Sequence, residues 1–191
     1  MDSKGWTTLA VTSPTPSCGK TFTAINLALS MSRQRDRQVL LADLDLRRPH
    51  IANYLGIKCG GAGIVEVVDG HIQLQDAIVS ARAGDGRLDV LPTTPASNPA
   101  DMVGSSGMRT LLERITKPSQ SQIVIIDLPP LLIGHDAISI LPHVDCVLVV
   151  AAIGTTKVSE IKECNRYLEA TDVIKFVLNK VPEHNEPYIY Y

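Results

Sequence analysis

The sequence predicts an α/β fold, a single domain built on a mainly parallel sheet flanked by helices on both faces. Three observations carry that expectation. Short apolar runs recur at Leu9-Ala10-Val11, Gln38–Ala42, Ile123–Ile126 and Asp145–Ala151, and continuous runs of this kind suit strands covered on both faces. Segments with helical spacing lie between them, which implies crossover connections and parallel pairing. Polar and acidic residues then follow directly on the apolar runs, where open parallel sheets collect ligands.

Taken in order, Trp6–Thr12 reads as the first strand. It leads into Ser13–Phe22, SPTPSCGKTF, and then into a helix in which Ala24, Leu27, Ala28 and Met31 recur at helical spacing. Gln38–Ala42 is the second strand and breaks into Asp43-Leu44-Asp45-Leu46-Arg47-Arg48-Pro49, where the proline ends any regular element. The signals soften from His50 to about Gly86, with short helices expected over Ile64–Val68 and Leu74–Val79. Arg87–Leu91 reads as a strand stopped by Pro92, and Ser97 or Asn98 caps a helix expected over Ala100–Ile115. Ile123–Asp127 is a β-branched strand cut off by Leu128-Pro129-Pro130. Asp145–Ala151 repeats that pattern, Lys157–Ala170 is helical, and Val173–Leu178 is a last strand ending at Asn179-Lys180. Residues 1–182 are expected to form the folded domain. The remaining 183–191, EHNEPYIYY, carry no core pattern and read as a flexible tail.

Composition narrows the function. A chain of 191 residues with 45% hydrophobic content can bury one substantial core. A formal net charge of −2 provides no basic field for nucleic acid or anionic lipid. Cys18, Cys59, Cys146 and Cys164 form no metal-like spacing, which favours reduced thiols in a cytoplasmic setting. No leader-like segment and no apolar run of membrane-spanning length is present, so the chain as given is expected neither to be secreted nor to cross a membrane.

The strand, the tight loop closed by Gly19-Lys20-Thr21 and the following helix have the layout of a phosphate-binding loop, where backbone N–H groups and a helix N-terminus face an anion. Ser17, Cys18, Gly19, Lys20, Thr21 and Phe22 are the candidate nucleotide contacts. Lys20 would reach the outer phosphates, and the Thr21 hydroxyl would hold Mg²⁺. Pro14 stands where the usual pattern has its first glycine, and a proline offers no N–H to a phosphate. The chemistry therefore needs further support, and the acids at the strand ends supply it. Asp43, Asp45 and Asp127 should converge on the same crevice, where two neighbouring carboxylates repel unless a cation lies between them. Thr21, Asp45 and Asp127 are the expected metal ligands. Arg47 or Arg48 would stabilise charge on the transferred phosphoryl group or tie to another subunit. Asn179 would bond an adenine edge or form a turn.

Together, SPTPSCGKTF, VLLADLDLRRP and IVIIDLPP resemble the three Walker-type motifs of bacterial tyrosine kinases that control capsule and exopolysaccharide synthesis. Asn98-Pro99-Ala100-Asp101, Asp136-Ala137 and Val177-Leu178-Asn179-Lys180 extend the resemblance over most of the chain. It implies a P-loop NTPase-like domain that uses ATP and Mg²⁺ to phosphorylate its own tail, with Tyr188, Tyr190 and Tyr191 as the acceptors. It also implies a membrane polysaccharide co-polymerase as activator, recruitment to the inner face of the membrane, and phosphorylation between subunits of a homo-oligomer. The family's assembly helix ahead of the first strand is not evident here, which points to an excised catalytic domain. The competing expectation is a switch ATPase of the cell-division and DNA-partition group. Those proteins carry a signature lysine early in the loop, where this chain has Thr15.

A tyrosine hydroxyl with a pKa of about 10 is only about 0.1% ionised at neutral pH, so positioning and base assistance are both useful. Asp43 is the expected proton acceptor, with Lys20, Asp45 and Arg47 completing the catalytic set. At about 3.3 Å per residue the tail spans roughly 30 Å, enough to reach a nearby site.

Overall fold

The computed structural model describes residues 5–34, 38–83, 86–117, 122–169, 171 and 173–182. Among them, seven strands form one sheet in the order β3-β4-β2-β5-β1-β6-β7. The strands are β1 (Thr8–Thr12), β2 (Gln38–Asp43), β3 (Val79–Ala83), β4 (Gly86–Leu91), β5 (Gln122–Asp127), β6 (Cys146–Ala152) and β7 (Val173–Asn179). All neighbours pair in parallel except β3 with β4, which form an antiparallel edge.

The continuous apolar strands serve two cores at once. Because side chains alternate across a sheet, Leu40 and Ala42 of β2 and Val124 and Ile126 of β5 enter one core. Val39, Leu41, Ile123 and Ile125 enter the other. The first core is closed by α3 (Ile64–Val68), α4 (Leu74–Ala77), α5 (Pro99–Val103), α6 (Ser106–Ile115), α7 (Asp136–Ile140) and α8 (Val158–Leu168). The second lies under α1 (Lys20–Ser32) and α2 (Ile51–Leu55).

Several elements depart from the sequence reading for local reasons. The helix expected over Ala100–Ile115 is two helices: Gly104 closes α5, and Ser105 opens α6 by accepting the Met108 N–H at 3.1 Å. The helix expected over Leu74–Val79 stops at Ala77, and Val79 instead starts the edge strand β3. Helices α2 and α7 have only five residues each, too few to show a periodic signal. The chain from Lys20 to Phe22, read as loop, already belongs to α1, which is what places Lys20 and Thr21 in its first turn.

Register positions the acids. Asp43, the last residue of β2, pairs directly with Asp127, the last residue of β5, and Val11 of β1 pairs with Asp127 on its other side. The phosphate loop and both acids therefore emerge at one height on the carboxyl edge of adjacent strands.

Candidate nucleotide and phosphoryl-transfer site

The loop between β1 and α1 is held by its carbonyls. Leu131 donates its N–H to Ser13 O at 2.8 Å and Leu132 to Pro14 O at 3.2 Å, while the Thr12 hydroxyl bonds Pro129 O at 2.8 Å. Pro14 thus contributes through its carbonyl and needs no N–H. Ser17 and Gly19 adopt positive φ, 65° and 93°, so the loop turns sharply before the helix begins. Cys18 is fully buried, and its carbonyl accepts the Asn179 amide N–H at 2.9 Å. Asn179 in turn accepts the Lys180 N–H at 2.8 Å. Its amide braces the phosphate loop from the end of β7.

The charged groups come next. Lys20 Nζ lies 2.8 Å from Asp45 Oδ2, 3.5 Å from Asp127 Oδ1 and 3.3 Å from Thr21 Oγ1. The Thr21 hydroxyl donates to Asp127 Oδ2 at 2.6 Å. Burial pulls the Lys20 ammonium down, but the charges of Asp127 and Asp45 together hold it above its usual value. Asp127 acts through its charge, and Asp45 through its charge and its hydrogen bond to the ammonium. Burial pushes Asp127 itself up to about 6 against the opposing influence of Lys20 and Thr21.

Asp43 sits behind this cluster. Its Oδ2 accepts the N–H groups of His50 and Ile51, both at 3.0 Å, and its Oδ1 accepts that of Asp45 at 3.3 Å. It is 1% exposed, and burial together with the nearby Asp127 charge pushes it up to about 7. The expected proton acceptor is therefore committed to the backbone at the start of α2. Asp45, in contrast, reaches open space.

That space is a cavity of about 710 Å³. Ser17, Gly19, Lys20, Thr21 and Asp45 form its polar side; Arg47, Arg48, His50 and Tyr54 form a second wall; Pro129, Pro130 and Ile133 close the third, and Phe22 stands at the edge, 58% exposed. Of the residues expected in the site, Ser17, Gly19, Lys20, Thr21, Phe22, Asp45 and Arg47 line the cavity. Cys18, Asp43, Asp127 and Asn179 support it from behind. Tyr188, Tyr190 and Tyr191 lie outside the described residues. His50 and Tyr54, packed edge to face at 6.4 Å, were not expected in the wall; their only sequence signal is proximity to the paired aspartates. The largest omission is Asp136, which bonds Arg47 across 89 residues of chain.

Among the described residues no three His, Cys, Asp or Glu side chains gather as a metal-binding group. The oxygens of Thr21, Asp127 and Asp45 nevertheless fit Mg²⁺, which takes one or two carboxylates and fills its remaining positions with water and phosphate. No helix among the described residues is long and apolar enough to cross a membrane.

Comparison with known proteins agrees with this geometry. The family model for the CobQ/CobB/MinD/ParA nucleotide binding domain matches residues 9–189. The tyrosine-protein kinase Ptk of Acinetobacter johnsonii is 30% identical over 182 residues, 94% of this chain and 24% of that protein. The tyrosine-protein kinase Etk of Escherichia coli is 32% identical over 166 residues, 86% of this chain and 22% of that protein. The chain thus spans about a quarter of the length of these curated relatives. The solved kinase domain of Escherichia coli ETK superposes with a TM-score of 0.83 at 29% identity, covering all of this chain and 73% of that one. Fold, site and sequence therefore agree that the chain belongs to the CobQ/CobB/MinD/ParA nucleotide-binding domain family, with bacterial tyrosine kinases among its relatives.

Proposed function

We propose that this domain binds ATP with Mg²⁺ and transfers the terminal phosphoryl group to tyrosine hydroxyls, those of Tyr188, Tyr190 and Tyr191 in its own tail. The observation that carries the reading is the buried cluster of Lys20, Thr21, Asp45 and Asp127 opening into a cavity of about 710 Å³. That volume accommodates a nucleotide and an incoming side chain. The similarity to kinases named for tyrosine supports the choice of acceptor.

In this reading the backbone of Ser17–Thr21 cradles the phosphates, and Lys20 moves from Asp45 to the outer phosphate oxygens. Thr21 and Asp127, with Asp45, would hold Mg²⁺, which supplies charge neutralisation when bound. Asp45, freed from Lys20, is then available to the metal at the cavity. Asp43 fixes the turn that presents it, through the Asp45 N–H. Asn179 holds the phosphate loop in place rather than reading the base. We further propose a membrane-bound activator of a polysaccharide export system, recruitment to the inner face of the membrane, and phosphorylation of one copy by another.

Intact-mass measurement after incubation with Mg²⁺, ATP and an activating partner tests this. Added phosphates mapping to Tyr188, Tyr190 and Tyr191, and absent in Lys20→Met, are expected. ATP hydrolysis with every tyrosine unmodified would instead favour the switch-ATPase reading.

A further inference from the structure

We propose that Asp136 is a positioning residue that holds the Arg47 guanidinium on the cavity wall, so that Arg47, rather than Arg48, meets the outermost phosphate of a bound nucleoside triphosphate. This rests on the nucleotide reading above and deepens it. The sequence offers Arg47 and Arg48 side by side with nothing to separate them, and the structure separates them.

Arg47 donates through Nε to Asp136 Oδ2 at 2.6 Å and through Nη2 to Asp136 Oδ1 at 3.3 Å. This is a side-on fork, the arrangement that fixes a guanidinium plane as well as its position. The two partners are unequally placed: the Asp136 side chain is 6% exposed and that of Arg47 is 44% exposed. The carboxylate cannot follow the cation, because Asp136 opens α7, whose Ala137 and Ile140 are fully buried. The anchor is therefore in the protein and the free end in the cavity.

A guanidinium has five N–H donors. Two are used on Asp136, which leaves the remainder for anionic oxygens within the cavity that Arg47 shares with Lys20 and Thr21. Lys20 approaches from the phosphate loop and Arg47 from the turn after β2, so a terminal phosphate between them would be held from both walls. Because the fork is already formed, Arg47 need not surrender its rotamer freedom when the ligand arrives. Arg48 engages Asp45 through its main-chain N–H at 3.1 Å, which does not direct its side chain.

A tie that only joined the β2–α2 turn to α7 would affect stability without favouring one nucleotide over another. Affinities for ATP and ADP, measured by fluorescence titration with Mg²⁺ on the full chain, separate the two roles. Arg47→Ala and Asp136→Asn are each expected to weaken ATP binding roughly tenfold, the scale of one charge-assisted hydrogen bond. ADP binding should change less than about twofold, and the double variant should bind ATP no more weakly than Arg47→Ala alone. Arg47→Lys, which keeps the charge but cannot form the fork, should also lose the preference while retaining the wild-type melting temperature. A wild-type ATP-to-ADP ratio in Asp136→Asn, losses that add in the double variant, or no ATP preference in the wild type would each overturn the proposal. Intact mass of the same proteins after incubation with Mg²⁺, ATP and the activating partner keeps the two readings apart: coupled ATP binding with no phosphotyrosine removes the kinase reading and leaves this one standing.

Discussion

Lys20 Nζ lies 2.8 Å from Asp45 Oδ2, with the two side chains only 11% and 6% exposed. The lysine proposed to bind phosphate is thus neutralised by the protein itself. In that reading, entry of a phosphate would be an exchange of one anion for another, and the carboxylate released would be the one that faces the cavity.

Removing the lysine should therefore affect the fold as well as the chemistry. Lys20→Met leaves Asp43, Asp45 and Asp127 crowded without their shared cation. Breaking a buried ion pair from one side costs about 3–5 kcal/mol, and protonation of Asp43 or Asp127 relieves part of it at neutral pH. Urea unfolding should show a loss of about 3 kcal/mol, together with loss of tyrosine phosphorylation.

Thr21→Ala removes the hydroxyl that donates to Asp127 at 2.6 Å. A hydrogen bond to a charged group is worth about 1.5–3 kcal/mol. Denaturation should report a loss in that range. Titration should show that more Mg²⁺ is needed for half-maximal nucleotide binding, since the same oxygen is a proposed ligand.

Gly19 holds φ at 93°, and a Cβ there would run into the Asn179 amide nitrogen. Gly19→Ala should cost about 1–2 kcal/mol from the left-handed backbone alone, with a further cost from driving Asn179 off the Cys18 carbonyl. Asn179→Ala clears that space, so the double variant should be less damaged than the sum of the singles. Melting curves of the four proteins check this.

Asp145 gives a pH prediction away from the nucleotide. Burial pushes its carboxyl up, but the Thr8 hydroxyl and the N–H groups of Thr7 and Thr8, all within 2.8 Å, outweigh burial and leave it below the usual carboxylate value of 3.8. A group depressed by folding stabilises above its unfolded pKa and loses that contribution as pH falls through its folded pKa. Asp145→Asn should therefore cost about 1–3 kcal/mol at neutral pH. Its urea midpoint should approach that of the wild type below about pH 4.

Much of this was legible in the chain because the information is local. The β-branched run ending in Asp127 announces a central strand, and Gly19-Lys20-Thr21 announces the loop that serves it. What stayed hidden is carried by contacts distant in sequence. Nothing near Arg47 points to Asp136, and Asn179 looks like a turn residue until β7 comes to rest beside Cys18. Asp43 and Asp45 look equivalent as neighbours two apart. Both are buried, but only the fold of α2 over Asp43 ties one to the main-chain N–H groups of His50 and Ile51 and leaves the other lining the cavity. The strand Val79–Ala83 was missed because VSARA has too little apolar character to stand out, and it needs little as an antiparallel edge.

The direct pairing of Asp43 with Asp127 across β2 and β5 has a consequence for durability. The acids are fixed by the hydrogen-bond ladder of two buried strands, not by a loop that orders when ligand binds. Main-chain amides beside them should exchange with solvent only when the whole sheet opens, while the surrounding walls exchange sooner. The acidic floor would then persist through the local openings that admit and release ligands, ready-made for the next one.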